Sequence, residues 1–240
     1  MIKIKIKLEK IKNNIPEDFK FSLSSLANKT RFQISLLLRQ KKSLSFTDIA
    51  KSIGKENSLT ANHIKELELG GIIQNYIDSN STSKQYSFYE LTSYGKEFLD
   101  TIVSSYIDFY NMPKMGNQIP EDLIQTLKAL QNKFRLSLSL LLKDTKEFSF
   151  NDIFVFGNKS KSAITHHLKK LELAGIIQNI YIKKSNSNQH SFYQITNYGR
   201  KIISELVLGY NNYFNREKKT KSNEISFSVG SGSWALPNEK

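Results

Sequence analysis

The 240-residue sequence contains no cysteine, which excludes disulfides, zinc–thiolate sites and thiol nucleophiles. It also lacks any run of about 18 apolar residues, so no membrane-spanning helix is predicted. The first residues, MIKIKIKLEKIKNN, do not form a signal-peptide pattern, because lysine interrupts every apolar run. These absences predict a cytoplasmic protein, and the lack of cysteine fits a reducing compartment.

Patterns that carry catalysis or metal binding are also missing. The sequence has no glycine-rich phosphate loop and no nucleophile paired with a base, so we predict no enzyme activity and no cofactor. His166 and His167 are adjacent, so on a helix their side chains would point about 100° apart and could not chelate one ion. We expect His63 and His167 to pack at a helix edge, and no metal site is predicted.

Acidic residues are scarce relative to basic ones. The chain has 35 Lys and Arg against 22 Asp and Glu, which gives a formal net charge of +13. Such an excess favours a polyanionic partner, of which nucleic acid is the commonest. A lysine-rich surface that serves only solubility is the alternative interpretation, because net charge governs association rather than fold.

The sequence contains an internal repeat with a constant offset. ITHHLKKLELAGIIQN at 164–179 repeats TANHIKELELGGIIQN at 60–75, and SFYQITNYG at 191–199 repeats SFYELTSYG at 87–95. The motifs IPED, SLLL and SF-x-DI recur at the same offset of 104 residues, so the copies align without a net insertion. This pattern predicts a duplicated unit of about 95 residues, which is an ordinary domain size.

Each copy predicts the same order of elements. In the second copy, apolar residues from Leu123 to Phe134 have helical spacing, and a leucine-rich second helix follows. A short helix is capped by Ser149 or Asn151, and the next helix, from about Lys159, ends at glycine. Two strand-like runs around SNSN then predict a hairpin, and a last helix follows it. A helix-turn-helix followed directly by a hairpin is a winged helix-turn-helix.

The motifs also carry a resemblance to a known family. ITHHLKKLELAGII and SFYQITNYG resemble the ArsR/MarR-type winged helix-turn-helix transcriptional regulators, in which S/T-x-H-L-K-x-L-E-x-A-G-h-I (h, apolar) leads into a wing that closes with Y-x-[IL]-T-x-x-G. TANHIKELELGGII and SFYELTSYG are slightly less similar to that pattern. The resemblance implies a mainly α protein with small β-hairpins (α+β) and two tandem winged helix-turn-helix domains. It further implies a DNA-binding transcriptional regulator, cytoplasmic and nucleoid-associated, that binds double-stranded DNA.

The repeat and the composition shifts outside it predict the domain boundaries. Pro113 and Gly116 break the segment between the copies, and the Lys/Ser/Gly-rich end of the chain contains the single tryptophan, Trp234. The predicted organisation is a basic N-terminal arm or strand (1–14), a first winged helix-turn-helix domain (15–110), a linker (111–118), a second winged helix-turn-helix domain (119–215) and a disordered basic tail (216–240).

The resemblance places the DNA contacts on the outward positions of the two recognition helices and on the wings. Hydroxyl and amide side chains there would read bases or phosphates, and lysines would neutralise phosphate. The alternative is an ordinary solvated helix face. The second domain is predicted to bind phosphate more strongly, because Lys170 is replaced by Glu66 in the first. The predicted contacts are Lys161, Ser162, Thr165, His166, Lys169, Lys183 and Lys184 in the second domain, and Asn57, Ser58, Ala61, Asn62, Lys65 and Lys84 in the first.

The last helix of each copy is more apolar than the core of one domain requires, with Tyr106 and Tyr210 at equivalent positions. Relatives of this type usually dimerise through their first and last helices, so we predict a monomer that forms a pseudo-twofold dimer within one chain. The alternative is two loosely linked units that bury these faces locally. Two other functions remain open, namely an ESCRT-II-like tandem winged-helix protein-assembly adaptor with protein partners and a nonspecific architectural DNA-binding protein.

Overall fold

The structure, a computed structural model, describes residues 2–77, 87–115, 118–183 and 189–224. Within these residues the chain is mainly helical with two small antiparallel sheets, as the sequence predicted. The helices and strands are, in chain order, α1 (Ile2–Asn14), α2 (Glu17–Leu26), α3 (Lys29–Lys41), β1 (Ser43–Ser45), α4 (Phe46–Ile53), α5 (Asn57–Leu69), β2 (Ile73–Ile77), β3 (Ser87–Leu91), α6 (Ser93–Tyr110), α7 (Glu121–Leu130), α8 (Lys133–Lys143), β4 (Phe148–Ser149), α9 (Phe150–Gly157), α10 (Lys161–Leu173), β5 (Ile177–Lys183), β6 (Gln189–Ile195) and α11 (Asn197–Glu224).

The elements α7 to α11 recur in the same order as α2 to α6. We call residues 15–110 the first copy and residues 119–215 the second copy. Each copy has a three-stranded antiparallel sheet, with the order β1-β3-β2 in the first and β4-β6-β5 in the second. Ile73 pairs with Leu91 and Ile177 pairs with Ile195, so the hairpin register is also equivalent.

Side-chain caps explain where the helices begin. Ser149 caps α9 in a capping box with Asp152, which decides between the two cap residues that the sequence allowed. Asn132 accepts a hydrogen bond from the amide of Arg135 and starts α8. Phe134 therefore belongs to α8, whereas its spacing from Leu123 predicts that it lies in the preceding helix. Ser160 caps α10, which therefore begins at Lys161 and not at Lys159.

The T-x-x-G motif that closes each hairpin holds the last helix of that copy against the end of α5 or α10. Thr196 donates a hydrogen bond to the carbonyl of Gly175 at 2.6 Å and accepts one from the amide of Gly199 at 2.9 Å. Gly175 has a φ of 67°, the left-handed conformation that ends α10 as predicted. A Cβ at Gly199 would collide with the carbonyl of Ile176, so only glycine fits this crossing.

The two copies pack against each other through α6 and α11 and through α2 and α7. Tyr106 donates a hydrogen bond to the carboxylate of Asp122 at 2.8 Å, and Tyr210 donates one to that of Asp18 at 2.7 Å. The two pairs are related by the 104-residue offset, and each joins one copy to the other. The contacts between the copies are therefore reciprocal at these two positions.

Aromatic rings fill the space between the copies. Tyr94 of the first copy lies 5.2 Å from Tyr213 and 5.5 Å from Phe214 of the second, measured between ring centroids. Tyr198 of the second copy lies 5.0 Å from Phe109 of the first. The buried apolar residues form one continuous cluster that includes both copies. The apolar surplus of the last helices is therefore buried between the copies and not only within each one.

The N-terminal segment forms helix α1, so the predicted strand or flexible arm is wrong. The alternation of Ile and Lys suggested a strand, but Leu8, Ile11 and Ile15 have helical spacing and are all buried. Helix α1 packs against α8 and α9, which belong to the second copy rather than to the adjacent first copy. Tertiary packing of this apolar stripe decides between the two periodicities.

The C-terminal boundary also differs from the prediction. Helix α11 continues to Glu224, so the tail predicted to be disordered from residue 216 begins with about two further helical turns. The rest of that predicted tail, 225–240 with Trp234, lies outside the described residues. In the predicted linker, Asn111 ends α6 with a φ of 51°, and Met112 and Met115 are partly buried against the core.

Candidate nucleic-acid interface

Each copy contains two helices joined by a short turn, the order expected of a helix-turn-helix. Helices α4 and α5 are joined through Gly54, which has a φ of 61°, and α9 and α10 are joined through Asn158, which has a φ of 47°. Both residue types tolerate the left-handed conformation that this short turn needs. The hydroxyl of Ser160 accepts a hydrogen bond from the amide of Ala163, whereas Glu56, at the start of α5, makes no side-chain cap. The start of α10 is therefore better fixed than that of α5.

Helix α10 buries one face and exposes the other as its sequence predicts. Ile164, Leu168 and Leu171 are fully buried. The residues predicted to contact DNA on this helix, all of them exposed, are Lys161, Ser162, Thr165, His166 and Lys169. They lie on one continuous outward face, so they can meet a single partner surface.

Helix α5 has the same inward and outward division. Thr60, Ile64 and Leu67 are buried. The predicted contacts on this helix are likewise exposed, namely Asn57, Ser58, Ala61, Asn62 and Lys65. The two outward faces therefore differ in chemistry rather than in accessibility.

The charges on the two helix faces are unequal. Residues 159–170, which span the turn and most of α10, contain four lysines and no acid, and all four are exposed. The equivalent residues 55–66 contain Lys55 and Lys65 together with Glu56 and Glu66, so they carry no net charge. A polyanion would therefore be attracted to α10 more strongly than to α5.

Two of the four lysines lie over aromatic rings. The Nζ atom of Lys161 is 5.6 Å from the ring centroid of Phe154, and that of Lys159 is 5.4 Å from the ring centroid of Phe134. Cation–π contacts of this length favour a defined side-chain direction at the start of the helix. The sequence prediction missed Lys159 as a contributor, because its role depends on Phe134 from the distant helix α8.

His167 packs at the helix edge as predicted. Its ring centroid lies 4.9 Å from that of Phe134, and its Nδ1 lies 3.5 Å from a guanidinium nitrogen of Arg135. Partial burial first, and then the charges of Arg135 and Lys159, lower the pKa of His167 to about 4. Burial likewise lowers the pKa of the equivalent His63. His167 is therefore a neutral packing residue at pH 7, whereas its neighbour His166 is exposed.

The lowered pKa of His167 predicts a loss of stability in mild acid. Between about pH 6.5 and pH 4 the unfolded chain binds a proton at this site and the folded chain does not, so the free energy of unfolding falls as the pH falls. We expect a loss of roughly 1 kcal/mol, because solvent screens a partly exposed ring. Urea unfolding between about pH 7 and pH 5 would measure it.

The matched variant for this prediction is His167→Gln, with Thr165→Gln as its control. His167→Gln should reduce the pH dependence of stability, and Thr165→Gln, at an exposed position of the same helix, should leave it unchanged, because it removes no titratable group. An unchanged slope in His167→Gln would contradict the assignment. Adding His63→Gln should reduce the slope further, because its pKa is shifted in the same direction.

The wings are antiparallel hairpins, as predicted. In the second copy β5 and β6 pair from Ile177 and Ile195 out to Lys183 and Gln189. Lys183 is placed in the strand by its backbone. Lys84 and Lys184, the other predicted wing contacts, lie outside the described residues.

Two half-buried arginines that the sequence analysis did not identify bind the ends of α2 and α7. Arg135 donates hydrogen bonds to the carbonyls of Lys128 and Ala129 at the end of α7, and the equivalent Arg31 does the same at the end of α2. These bonds satisfy terminal carbonyls that a helix leaves unpaired. The sequence contained a signal for this contact, because an arginine occurs three residues after the N-cap asparagine in both copies.

Two further features are absent from the described part of the chain. Among residues 2–77, 87–115, 118–183 and 189–224, no group of three or more His, Cys, Asp or Glu side chains is placed to hold a metal ion. No helix among them is both long enough and apolar enough to cross a membrane.

Comparison with known proteins supports the assignment of α4 and α5, the helix pair of the first copy. Residues 28–74 match the family model described as winged helix-turn-helix DNA-binding. The matched residues run from the cap of α3 through α4 and α5 into β2, so the recognition helix of the first copy lies inside the match. The match falls on the first copy, whose motifs are the less similar to the ArsR/MarR-type pattern. No curated protein matches the chain.

Proposed function

We propose that the protein is a DNA-binding transcriptional regulator that contacts duplex DNA through α10, α5 and their wings. The observation that carries the proposal is the outward face at residues 159–170, which has four exposed lysines and no acid. It lies on the helix that a winged helix-turn-helix places in the major groove. The family match at the equivalent α5 supports the same role for both helices.

The proposal assigns separate roles to the outward side chains of α10. Lys161 and Lys169 neutralise phosphates, whereas Ser162, Thr165 and His166 are placed to reach base edges. On α5, Asn62 is placed to make a bidentate contact with adenine, and Lys65 is the only basic predicted contact. The wing lysines Lys183, Lys184 and Lys84 would bind the flanking backbone.

We also propose that the two copies are two winged helix-turn-helix domains arranged as a pseudo-twofold dimer within one chain. The reciprocal bonds from Tyr106 to Asp122 and from Tyr210 to Asp18 support this arrangement. A single chain would then present two recognition helices to successive major grooves without a second subunit. The protein would act as a cytoplasmic, nucleoid-associated monomer.

A titration of duplex DNA at increasing salt tests the proposed function. We expect tight binding at low salt, with log K falling linearly against log salt by about 0.9 for each phosphate neutralised. Selection from random duplexes should then return a site with two half-sites about one helical turn apart. Their sequences should differ, because the outward faces of α5 and α10 differ.

Each alternative function predicts a different result in the same experiment. An absence of binding at low salt would reject DNA recognition and favour a protein-assembly adaptor. A steep salt dependence without any sequence preference would favour an architectural DNA-binding protein. The charge-balanced face of α5 is the feature of this structure that suits protein contacts better than DNA.

A further inference from the structure

Helix α1 covers a surface of the second copy. Its buried residues include Leu8 and Ile11, and it packs against α8 and α9. On α8, Ser137, Leu140 and Leu141 are fully buried. The chain segment that precedes the first copy thus packs on the second.

The equivalent surface of the first copy is covered differently. Gln33, Leu36 and Leu37 of α3 are the counterparts of Ser137, Leu140 and Leu141, yet Gln33 is exposed and both leucines are only partly buried. The segment that precedes the second copy lies against this surface. Its described residues 111–115 are not helical, because Asn111 ends α6 and Pro113 follows.

The linker covers less of the surface of α3 than helix α1 covers of α8. Met112 and Met115 stand at the 104-residue offset from Leu8 and Ile11, and both are partly buried. A cavity of about 460 Å³ remains between α3 and the linker. This volume lies within the range of ordinary small-molecule sites, about 300–1,000 Å³.

The cavity has an apolar wall and a polar rim, all of it among the described residues. Leu36, Leu37, Met115 and Ile119 form the wall. The carboxamides of Gln33 and Gln40 lie at the rim and can both donate and accept hydrogen bonds.

The only ionic group of the lining is already paired. The Nε atom of Arg39 lies 2.6 Å from a carboxylate oxygen of Asp100 on α6. The lining therefore carries no uncompensated charge, and a charged ligand would lose hydration without gaining a counter-ion. A neutral ligand would lose less hydration than a charged one. Because Arg39 is paired with Asp100, the cavity therefore favours neutral ligands over ions.

We propose that this cavity is a binding site for a small uncharged amphipathic molecule. The ligand would have an aliphatic body that packs against Leu36, Leu37 and Met115. Its hydroxyl or amide group would bond to Gln33 or Gln40. The second copy has no equivalent site, because α1 occupies that position. The inference does not depend on DNA binding.

The three methionines of the chain allow a direct test with the full-length protein. Protein labelled with ¹³C at the methionine methyls would be titrated with 1-octanol, and the signals assigned with Met112→Leu and Met115→Leu. We expect a saturable shift of the Met115 signal with a dissociation constant on the order of 1 mM or below. Octanoate, which has the same length but carries a charge, should bind at least about tenfold more weakly.

Variants that fill the cavity complete the test. Leu36→Phe and Leu37→Phe should each weaken 1-octanol binding by about tenfold or more, because the added ring takes up the cavity. Leu208→Phe, at an exposed leucine of α11, is the matched control and should bind as the wild type does. A Met115 shift that does not saturate, or that persists in both filling variants, would overturn the site. Octanoate binding as tight as that of 1-octanol would overturn the ligand class.

Discussion

Charge reversal of Lys161 and Lys169 is expected to weaken duplex DNA binding by about 100-fold or more at low salt. The two lysines are exposed on the outward face of α10, and residues 159–170 contain no acid to offset them. Their replacement by glutamate would remove two proposed phosphate contacts and add repulsion from the DNA backbone. The slope of log K against log salt should fall by about two, because each lost phosphate contact contributes about 0.9.

A control with the same change in net charge separates this local effect from general electrostatics. Lys96 and Lys114 are exposed and lie outside both recognition helices, on α6 and in the linker. The variant Lys96→Glu/Lys114→Glu should change affinity far less than the α10 variant. Equal losses in the two variants would show that binding follows net charge alone and would refute docking through α10.

The single variants Lys169→Glu and Lys65→Glu compare the two copies at equivalent positions. Lys169→Glu should cost more affinity, because Lys65 is followed by Glu66 and lies on a face without net charge. Fluorescence anisotropy with one duplex would measure both. A larger loss from Lys65→Glu would reverse the assignment of α10 as the stronger phosphate-binding helix.

The repeat made much of the fold predictable from sequence. Because the same pattern occurs twice, it predicted the same order of helices and strands in both copies. The glycines and capping residues indicated equivalent helix ends in each copy. Helix α1 lacked this support, because it lies outside the repeat and its Ile–Lys alternation competes with the helical spacing of Leu8, Ile11 and Ile15. Only its packing on the second copy, a long-range contact, decides in favour of the helix.

The exposure of the candidate residues was predictable from the sequence, but their surroundings were not. Exposure of Thr165 and Lys169 follows from the helical spacing of the buried residues around them. The contacts of Lys159 with Phe134 and of His167 with Arg135 depend on α8, which is separated in sequence from α10. The Tyr–Asp pairs were not predictable either. Asp18 and Asp122 lie in the first turns of α2 and α7, where an acid is expected because it interacts favourably with the helix N-terminus, so their sequence positions did not indicate a contact between the copies.

The second large effect is expected from Tyr210→Ala, which should lower the free energy of unfolding by about 3 kcal/mol. Tyr210 is buried, and its ring centroid lies 5.1 Å from that of Phe19 in the first copy. The substitution removes this packing together with the hydrogen bond to Asp18. Tyr210→Phe keeps the ring and should cost only about 1 kcal/mol, the value of one hydrogen bond.

The equivalent variant in the first copy tests whether the interface is symmetric. Tyr106→Ala should have a similar effect, because Tyr106 makes the reciprocal bond to Asp122 and is equally buried. Tyr181→Ala is the control, since Tyr181 is 63% exposed and its loss should change stability by less than about 0.5 kcal/mol. Urea unfolding of the full chain would measure all of these variants.

The shape of the unfolding transition distinguishes a pseudo-dimer from two linked units. If the copies form one cooperative structure, either tyrosine variant should shift a single transition, because the shared core loses contacts on both sides. Two independent units would instead give two transitions, with Tyr210→Ala affecting only one. Light scattering supplies the complementary result, with a mass of 27.6 kDa for the pseudo-dimer. Twice that mass would mean that the protein also pairs with another protein chain. The contacts between α6 and α11 would then not complete the dimer interface within one chain.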